Sequence, residues 1–181
     1  IEIQCVAQDI TVSFESNGAV SITPEQIDNG SSAGCDQPLA LSLDMQDFVC
    51  NDASDNPIEV TLTVTVIATG ETSQCTANVT LVDDVDPTIT CMDDVTVNCE
   101  DFTGSLEAYG NEDDIITDDN CDAGLELTET VVEDVNSCGI GTYTRTFVVS
   151  DLSGNSASCT QVVTVVLGNN PLVEEDLTFP P

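Results

Sequence analysis

The sequence predicts an all-β chain of two antiparallel β-sandwiches in tandem. Three observations carry that reading: apolar residues alternate with period two, the chain repeats itself after about 85 residues, and nine cysteines are spread along its 181 residues. Val60, Leu62, Val64 and Val66 alternate with Thr61, Thr63 and Thr65, while Tyr143, Arg145, Phe147 and Val149 alternate with Thr144, Thr146 and Val148. Alternating side chains point to opposite faces of a strand, so each run has one face to bury. The excess of Val, Thr and Ile favours pleated sheet over helix.

Taken in order, the first copy opens with Cys5-Val-Ala-Gln-Asp-Ile-Thr-Val12, which matches Cys91-Met-Asp-Asp-Val-Thr-Val97 in the second. Asn17-Gly18 between Ile10–Phe14 and Ala19–Ile22 is a hairpin signal. One helical turn is expected at Thr23-Pro24, with Gln26 completing a capping box and Gly30 beyond it. Cys35 corresponds to Cys121 and Cys50 to Cys138, and the stretch ending at Cys75 matches the one ending at Cys159. The acidic Val82-Asp-Asp-Val-Asp-Pro87 is the join, where Pro87 cannot donate to a ladder. The expected division is therefore module 1 over 1–84, module 2 over 85–168 and an extended tail over 169–181.

Thirty-four acidic residues face one base, Arg145, with no Lys, His or Trp, for a formal charge of -33. Without His or Lys there is no general base of the usual kind near neutral pH, no Ser/His or Cys/His pair and no Schiff-base amine. A field of this sign repels nucleic acid and anionic lipid. No apolar run approaches the roughly 20 residues that span a bilayer, so no membrane insertion is expected. Carboxylate pairs suited to a glycosidase occur by chance in such a chain, but two Tyr and no Trp leave little for a sugar to stack on. The chain reads as a non-enzyme. Arg145, on one strand face with Tyr143 and Phe147, is expected to pair with a nearby carboxylate. Cysteines without a CxxC pair and without His point to disulfides in an oxidising compartment rather than zinc. The opening at Ile1, within a strand-like stretch, reads as a processed product or a piece of a longer chain.

Asp151-Leu-Ser-Gly-Asn-Ser-Ala-Ser-Cys159, followed by alternating Val and Thr, resembles the end of a hyalin-repeat (HYR) module, an immunoglobulin-like domain of extracellular adhesion proteins. Asp119-Asn-Cys121, Tyr143-Thr-Arg-Thr-Phe147 and the Asp-Pro-Thr-Ile at Asp86 to Ile89 are similar to divergent HYR-like arrays in long bacterial surface proteins. The resemblance implies two tandem immunoglobulin-like sandwiches with intramodular disulfides, pairing Cys5 with Cys75 and Cys91 with Cys159. The remaining matched cysteines, Cys35 with Cys50 and Cys121 with Cys138, would then close short loops. Cys99 is left over, because Ser153 stands where many relatives carry a further cysteine. It is either a buried free thiol at the position of Phe14 or an intermolecular bridge.

No cofactor is required by this reading, and calcium is the one that the acidic loops could take, since Ca²⁺ binds six to eight oxygens. Candidate ligands are Asp83, Asp84 and Asp86 at the join, with Asp93 or Asp94, and the loop Asp118, Asp119, Asn120 and Asp122. Asn29 and Asn78 fit the N-glycosylation sequon. In the tail, Leu177 and Phe179 alternate with Thr178 before Pro180-Pro181. The tail, including Leu172 and Val173, is expected to dock as an added strand on a neighbouring module or subunit, to fold back on its own module, or to lead onward as a linker. The function expected is a structural segment of an extracellular filament or adhesin on a cell-surface appendage, with copies of itself as partners. The alternatives are a calcium-dependent module that binds a polysaccharide or surface receptor, and an accessory domain of a secreted hydrolase.

Overall fold

Period-two alternation leaves each long strand one apolar face, and two such sheets bury theirs against each other. In the computed structural model, which describes residues 2–122 and 124–168, the chain divides into two compact units. Of the described residues, unit 1 comprises 2–87 together with 119–122, Gly124 and 151–155, and unit 2 comprises 88–118, 125–150 and 156–168. The tail residues Leu172, Val173, Leu177 and Phe179 lie outside the described residues.

Unit 1 contains β1 (Ile3–Gln4), β2 (Ile10–Ser13), β3 (Ala19–Ser21), the single helical turn α1 (Pro24–Ile27), β4 (Ser32–Ala33), β5 (Leu39–Leu43), β6 (Asp47–Val49), a 3₁₀ segment Cys50–Asp55, β7 (Ile58–Val66) and β8 (Thr72–Val82). The main sheet has the order β2-β8-β7-β5, in which β2 runs parallel to β8 and the other pairs are antiparallel. Val60, Leu62, Val64 and Val66 of β7 are fully buried, and Phe14, Ile22, Ile27, Phe48, Val79 and Leu81 complete the core. Each such side chain contributes roughly 1.5–3 kcal/mol of burial. Gln26 Oε1 accepts from the Thr23 N–H at 2.7 Å, which closes the start of α1.

The Asn17-Gly18 signal makes a turn but not a hairpin. Gly18 N–H donates to Glu15 O at 2.9 Å, yet β2 pairs with β8 and β3 pairs with β6. The turn carries the chain from one sheet to the other, because a two-layer core needs the apolar faces of β2 and β3 opposed rather than side by side. Glycine is required at this turn: φ is +72°, and a Cβ would sit 2.5 Å from Asn120 O.

Unit 2 contains β9 (Thr88–Thr90), β10 (Val95–Asn98), 3₁₀ turns at Leu106–Tyr109 and Glu112–Asp114, β11 (Ile116–Asp118), β12 (Glu126–Val135), β13 (Gly141–Ser150) and β14 (Ser156–Val166). Its main sheet, β10-β14-β13-β12, repeats the plan of unit 1, with β10 parallel to β14. Both units are thus immunoglobulin-like sandwiches whose early strand lies parallel to the last. The repeat extends to single bonds. Asp9 Oδ1 accepts from Asn78 N–H and Asp94 Oδ1 from Val162 N–H, each at 2.7 Å. Phe14 N–H donates to Val82 O and Cys99 N–H to Val166 O.

Where unit 1 has an apolar core, unit 2 buries Phe147, Val149, Val163 and Val165 beside Arg145 and Gln161. A buried guanidinium must be paired and fully hydrogen-bonded. Arg145 Nε donates to Glu129 Oε1 at 2.6 Å, and Nη1 to Gly110 O at 2.8 Å and Gln161 Oε1 at 2.9 Å. Its planar face lies 4.9 Å from the Phe147 ring centroid.

Disulfides join Cys5 to Cys75 and Cys91 to Cys159. The third is Cys50–Cys121, so the short-loop pairs Cys35–Cys50 and Cys121–Cys138 do not form. The reason is where the loops fold. Residues 119–124 belong to unit 1, which puts Cys121 5.3 Å, Cα to Cα, from Cys50, whereas Cys138 is in unit 2 at the turn between β12 and β13. Cys35 and Cys138 are exposed thiols and Cys99 is a half-buried one.

Candidate metal centre

Three segments of unit 1 build an acidic cluster: Asp83 just past β8, Asp119 and Asp122 in the loop 119–124, and Asp151 in the loop 151–155. One carboxylate oxygen from each lies within 4.8 Å of the others. Ca²⁺ binds oxygen at about 2.3–2.6 Å, so ligands on opposite sides of one ion are about 4.6–5.2 Å apart. Four oxygens this close fit within one coordination sphere.

Local hydrogen bonds aim these groups. Asp119 Oδ1 accepts from the N–H groups of Cys121 at 2.9 Å and Asp122 at 2.8 Å, which folds the loop around its own first carboxylate. Asp122 Oδ2 accepts from Leu152 N–H at 2.9 Å, tying one loop to the other. Asp151, 9% exposed, takes the N–H groups of Gly154 at 2.6 Å and Asn155 at 2.7 Å on Oδ1. Asn155 Nδ2 reaches Asp151 Oδ2 at 2.7 Å and Asp83 O at 3.1 Å. Asn120 Nδ2 donates to Glu15 O and to Asp83 Oδ1, both at 3.2 Å.

After these bonds are made, Asp83 Oδ2, Asp119 Oδ2 and Asn120 Oδ1 remain buried with no hydrogen-bond partner among the described residues. Burying an unpaired acceptor is costly, and more so for a charged one. The four carboxylates also repel by roughly 1–4 kcal/mol per pair, depending on the local dielectric. No Lys, Arg or His of unit 1 offsets this, since Arg145 is the only such residue of the chain and belongs to unit 2. A hard divalent cation would satisfy the orphaned oxygens and offset half of the charge of the four carboxylates. The all-oxygen donor set suits Ca²⁺, and Asn120 Oδ1 is an available neutral ligand.

Of the residues expected to bind calcium, the structure brings together Asp83, Asp119 and Asp122, with Asn120 beside them. The others are engaged elsewhere or stand apart. Asp84 Oδ2 accepts from Ser13 Oγ at 2.9 Å, and Asp86 is exposed outside the cluster. Asp93 and Asp94 belong to unit 2, where Asp93 O accepts from Gln161 Nε2 and Asp94 Oδ1 accepts from Val162 N–H within β14. Asp118 ends β11 and its carbonyl accepts from Thr88 Oγ1. Asp151 was not among the expected ligands; in the sequence it stands only as the head of the Asp-Leu-Ser-Gly-Asn turn. Asp83 and Asp122 also line a cleft of about 490 Å³ with Phe14, Asn51, Ser54 and Leu152.

No protein-family model matches the sequence, and no curated protein does. Among solved structures the chain is similar to the EC1-2 segment of human protocadherin-24, with 11% identity, 92% of this chain and 99% of that one covered, and a TM-score of 0.42. It is similar to EC1-2 of human mucin-like protocadherin, with 15% identity, 91% and 98% covered, and a TM-score of 0.37. An endo-fucoidan hydrolase of glycoside hydrolase family 107 also matches, with 11% identity, 92% and 29% covered, and a TM-score of 0.32.

Proposed function

We propose that the chain is a non-enzymatic structural segment of an extracellular filament or adhesin, made of two HYR-like modules, and that Ca²⁺ held by Asp83, Asp119, Asp122 and Asp151 locks the loops of unit 1. The observation that carries this reading is the set of buried oxygens without partners inside a four-carboxylate cluster. The rest of the chain suits load. In each unit the early and last strands lie parallel and a disulfide joins the ends of the module, Cys5–Cys75 and Cys91–Cys159. Pulling on both ends passes the load through that bridge, which stops the residues between its cysteines, the early strand included, from paying out.

Neighbouring copies are the partners in this reading. The tail of one copy, through Leu172, Val173, Leu177 and Phe179, adds as a strand to another, and the edge strand β12, with Val131 and Val132 exposed, is a suitable acceptor. Asn29 and Asn78 are exposed where a glycan could be carried. A second reading, calcium-dependent recognition of a polysaccharide or receptor, is favoured by the cleft that Asp83 and Asp122 share with the cluster.

Thermal melts in Ca²⁺ against chelator, at constant ionic strength, test the calcium reading. At a hundredfold excess over Kd the folded state gains about 2.7 kcal/mol, so the midpoint rises. An unchanged midpoint removes calcium from the account.

A further inference from the structure

We infer that the Cys50–Cys121 disulfide and the cation cluster act as one latch: the bridge preorganises the loop that supplies Asp119 and Asp122, and a bound Ca²⁺ protects the bridge from reduction. This rests on the calcium reading above. Cys121 stands between the two ligands in sequence, and its own N–H donates to Asp119 Oδ1 at 2.9 Å. At the other end, Cys50 opens the 3₁₀ segment and its N–H donates to Gly18 O at 3.1 Å. The bridge spans 71 residues of sequence, so it removes much of the freedom with which the loop could leave unit 1.

Without the bridge, two of the four carboxylates ride on a loop whose remaining ties to the rest of unit 1 include the Asn120 bonds to Glu15 O and Asp83 Oδ1 and the Leu152 bond to Asp122. Mutual repulsion among the carboxylates then favours the open loop. With the bridge closed, that repulsion is held in place for a cation to relieve. Coupling of this kind is reciprocal: whatever the bridge adds to Ca²⁺ affinity, Ca²⁺ adds to the persistence of the bridge. Reduction by an external dithiol proceeds by thiolate attack on one sulfur and release of the other as a thiol. The reagent's second thiol then closes to a cyclic disulfide, leaving Cys50 and Cys121 each protonated. A Ca²⁺-clamped loop resists both the approach of the reagent and the opening that follows.

The test uses the oxidised 181-residue chain, limiting dithiothreitol and differential alkylation read by peptide mass spectrometry, with Ca²⁺ or with Mg²⁺ at matched ionic strength. Ca²⁺ is expected to slow reduction of Cys50–Cys121 about tenfold, with Cys5–Cys75 and Cys91–Cys159 changed by less than about twofold. Calorimetric titration of Cys50→Ser/Cys121→Ser is expected to show Ca²⁺ affinity about tenfold weaker than in the parent. The fold of the variant is verified by its intact Cys5–Cys75 bridge and far-UV spectrum; if it misfolds, the protection assay on the parent chain decides alone. Equal slowing of all three bridges, or an unchanged affinity in the variant, overturns the latch and leaves the calcium reading standing. No Ca²⁺ uptake by the oxidised parent overturns both.

Discussion

Asn120 Nδ2 donates a hydrogen bond to Asp83 Oδ1 at 3.2 Å, across 37 residues of sequence. The bond joins the end of β8 to a loop that the sequence repeat assigns to the second module. It spends one oxygen of Asp83 and leaves the other buried and unpartnered, the oxygen that the proposed cation would take.

The polar core of unit 2 gives a sharp stability expectation. Glu129 supplies the only carboxylate bonded to Arg145 among the described residues, at 2.6 Å, and Arg145 is 1% exposed. Glu129→Gln leaves the guanidinium buried with neutral acceptors alone. The expected loss is about 1–3 kcal/mol, below the usual cost of breaking a buried pair because the Glu129 side chain is 26% exposed and water can partly replace it. Urea denaturation of parent and variant measures it, and a loss under about 0.5 kcal/mol would show the pair to be dispensable.

Asp44 links stability to pH. Burial raises its pKa, but hydrogen bonds from the Thr61 N–H and hydroxyl and from the Met45 N–H outweigh that and hold it below its ordinary value of 3.8. A depressed carboxylate stabilises the fold above its unfolded pKa, and that contribution is lost as pH falls through the folded one. Asp44→Asn should therefore destabilise unit 1 near neutral pH and converge with the parent below pH 3.8, as read from melting midpoints against pH. A gap that persists at the acid end would mean that Asp44 acts through shape rather than charge.

Truncation after Gly168 tests assembly. Both units should keep their folds, because every strand described ends by Val166, while filaments formed by the whole chain disappear from electron micrographs. Both β12 and the tail are acidic, with Glu126, Glu129, Glu133 and Asp134 on one and Glu174, Glu175 and Asp176 on the other. Assembly should therefore strengthen with salt, as the screening length falls to about 8 Å near 0.15 M. Native-like filaments from the truncated chain would show that the tail is not the connector.

The sandwiches were legible because their signals are local. Val60 to Val66 and Tyr143 to Val149 announce strands by period two, and Thr23, Pro24 and Gln26 announce one helical turn without reference to the rest of the chain. Repeat symmetry misled where the two copies do not close on themselves. Matching Cys35 with Cys50 and Cys121 with Cys138 assumes that each loop folds within its own repeat, whereas 119–124 and 151–155 pack in unit 1. Asp151 was hidden for a related reason. Its bonds to Gly154 and Asn155 make it look like a turn former, and only the fold reveals that the same carboxylate faces Asp83, Asp119 and Asp122. The one available signal was that Asp-x-x-Gly-Asn and Asp-Asn-Cys are both acidic loops at the ends of strands, as the join is.

Metal stoichiometry decides whether the acidic cluster of unit 1 holds a cation. Native mass spectrometry or calorimetry of the oxidised chain should find one tightly held Ca²⁺ per chain, and the Asp119→Asn/Asp151→Asn variant should lose that ion while keeping its fold. A parent chain that takes up no Ca²⁺ at about millimolar concentration, or a variant that binds as the parent does, would contradict the account.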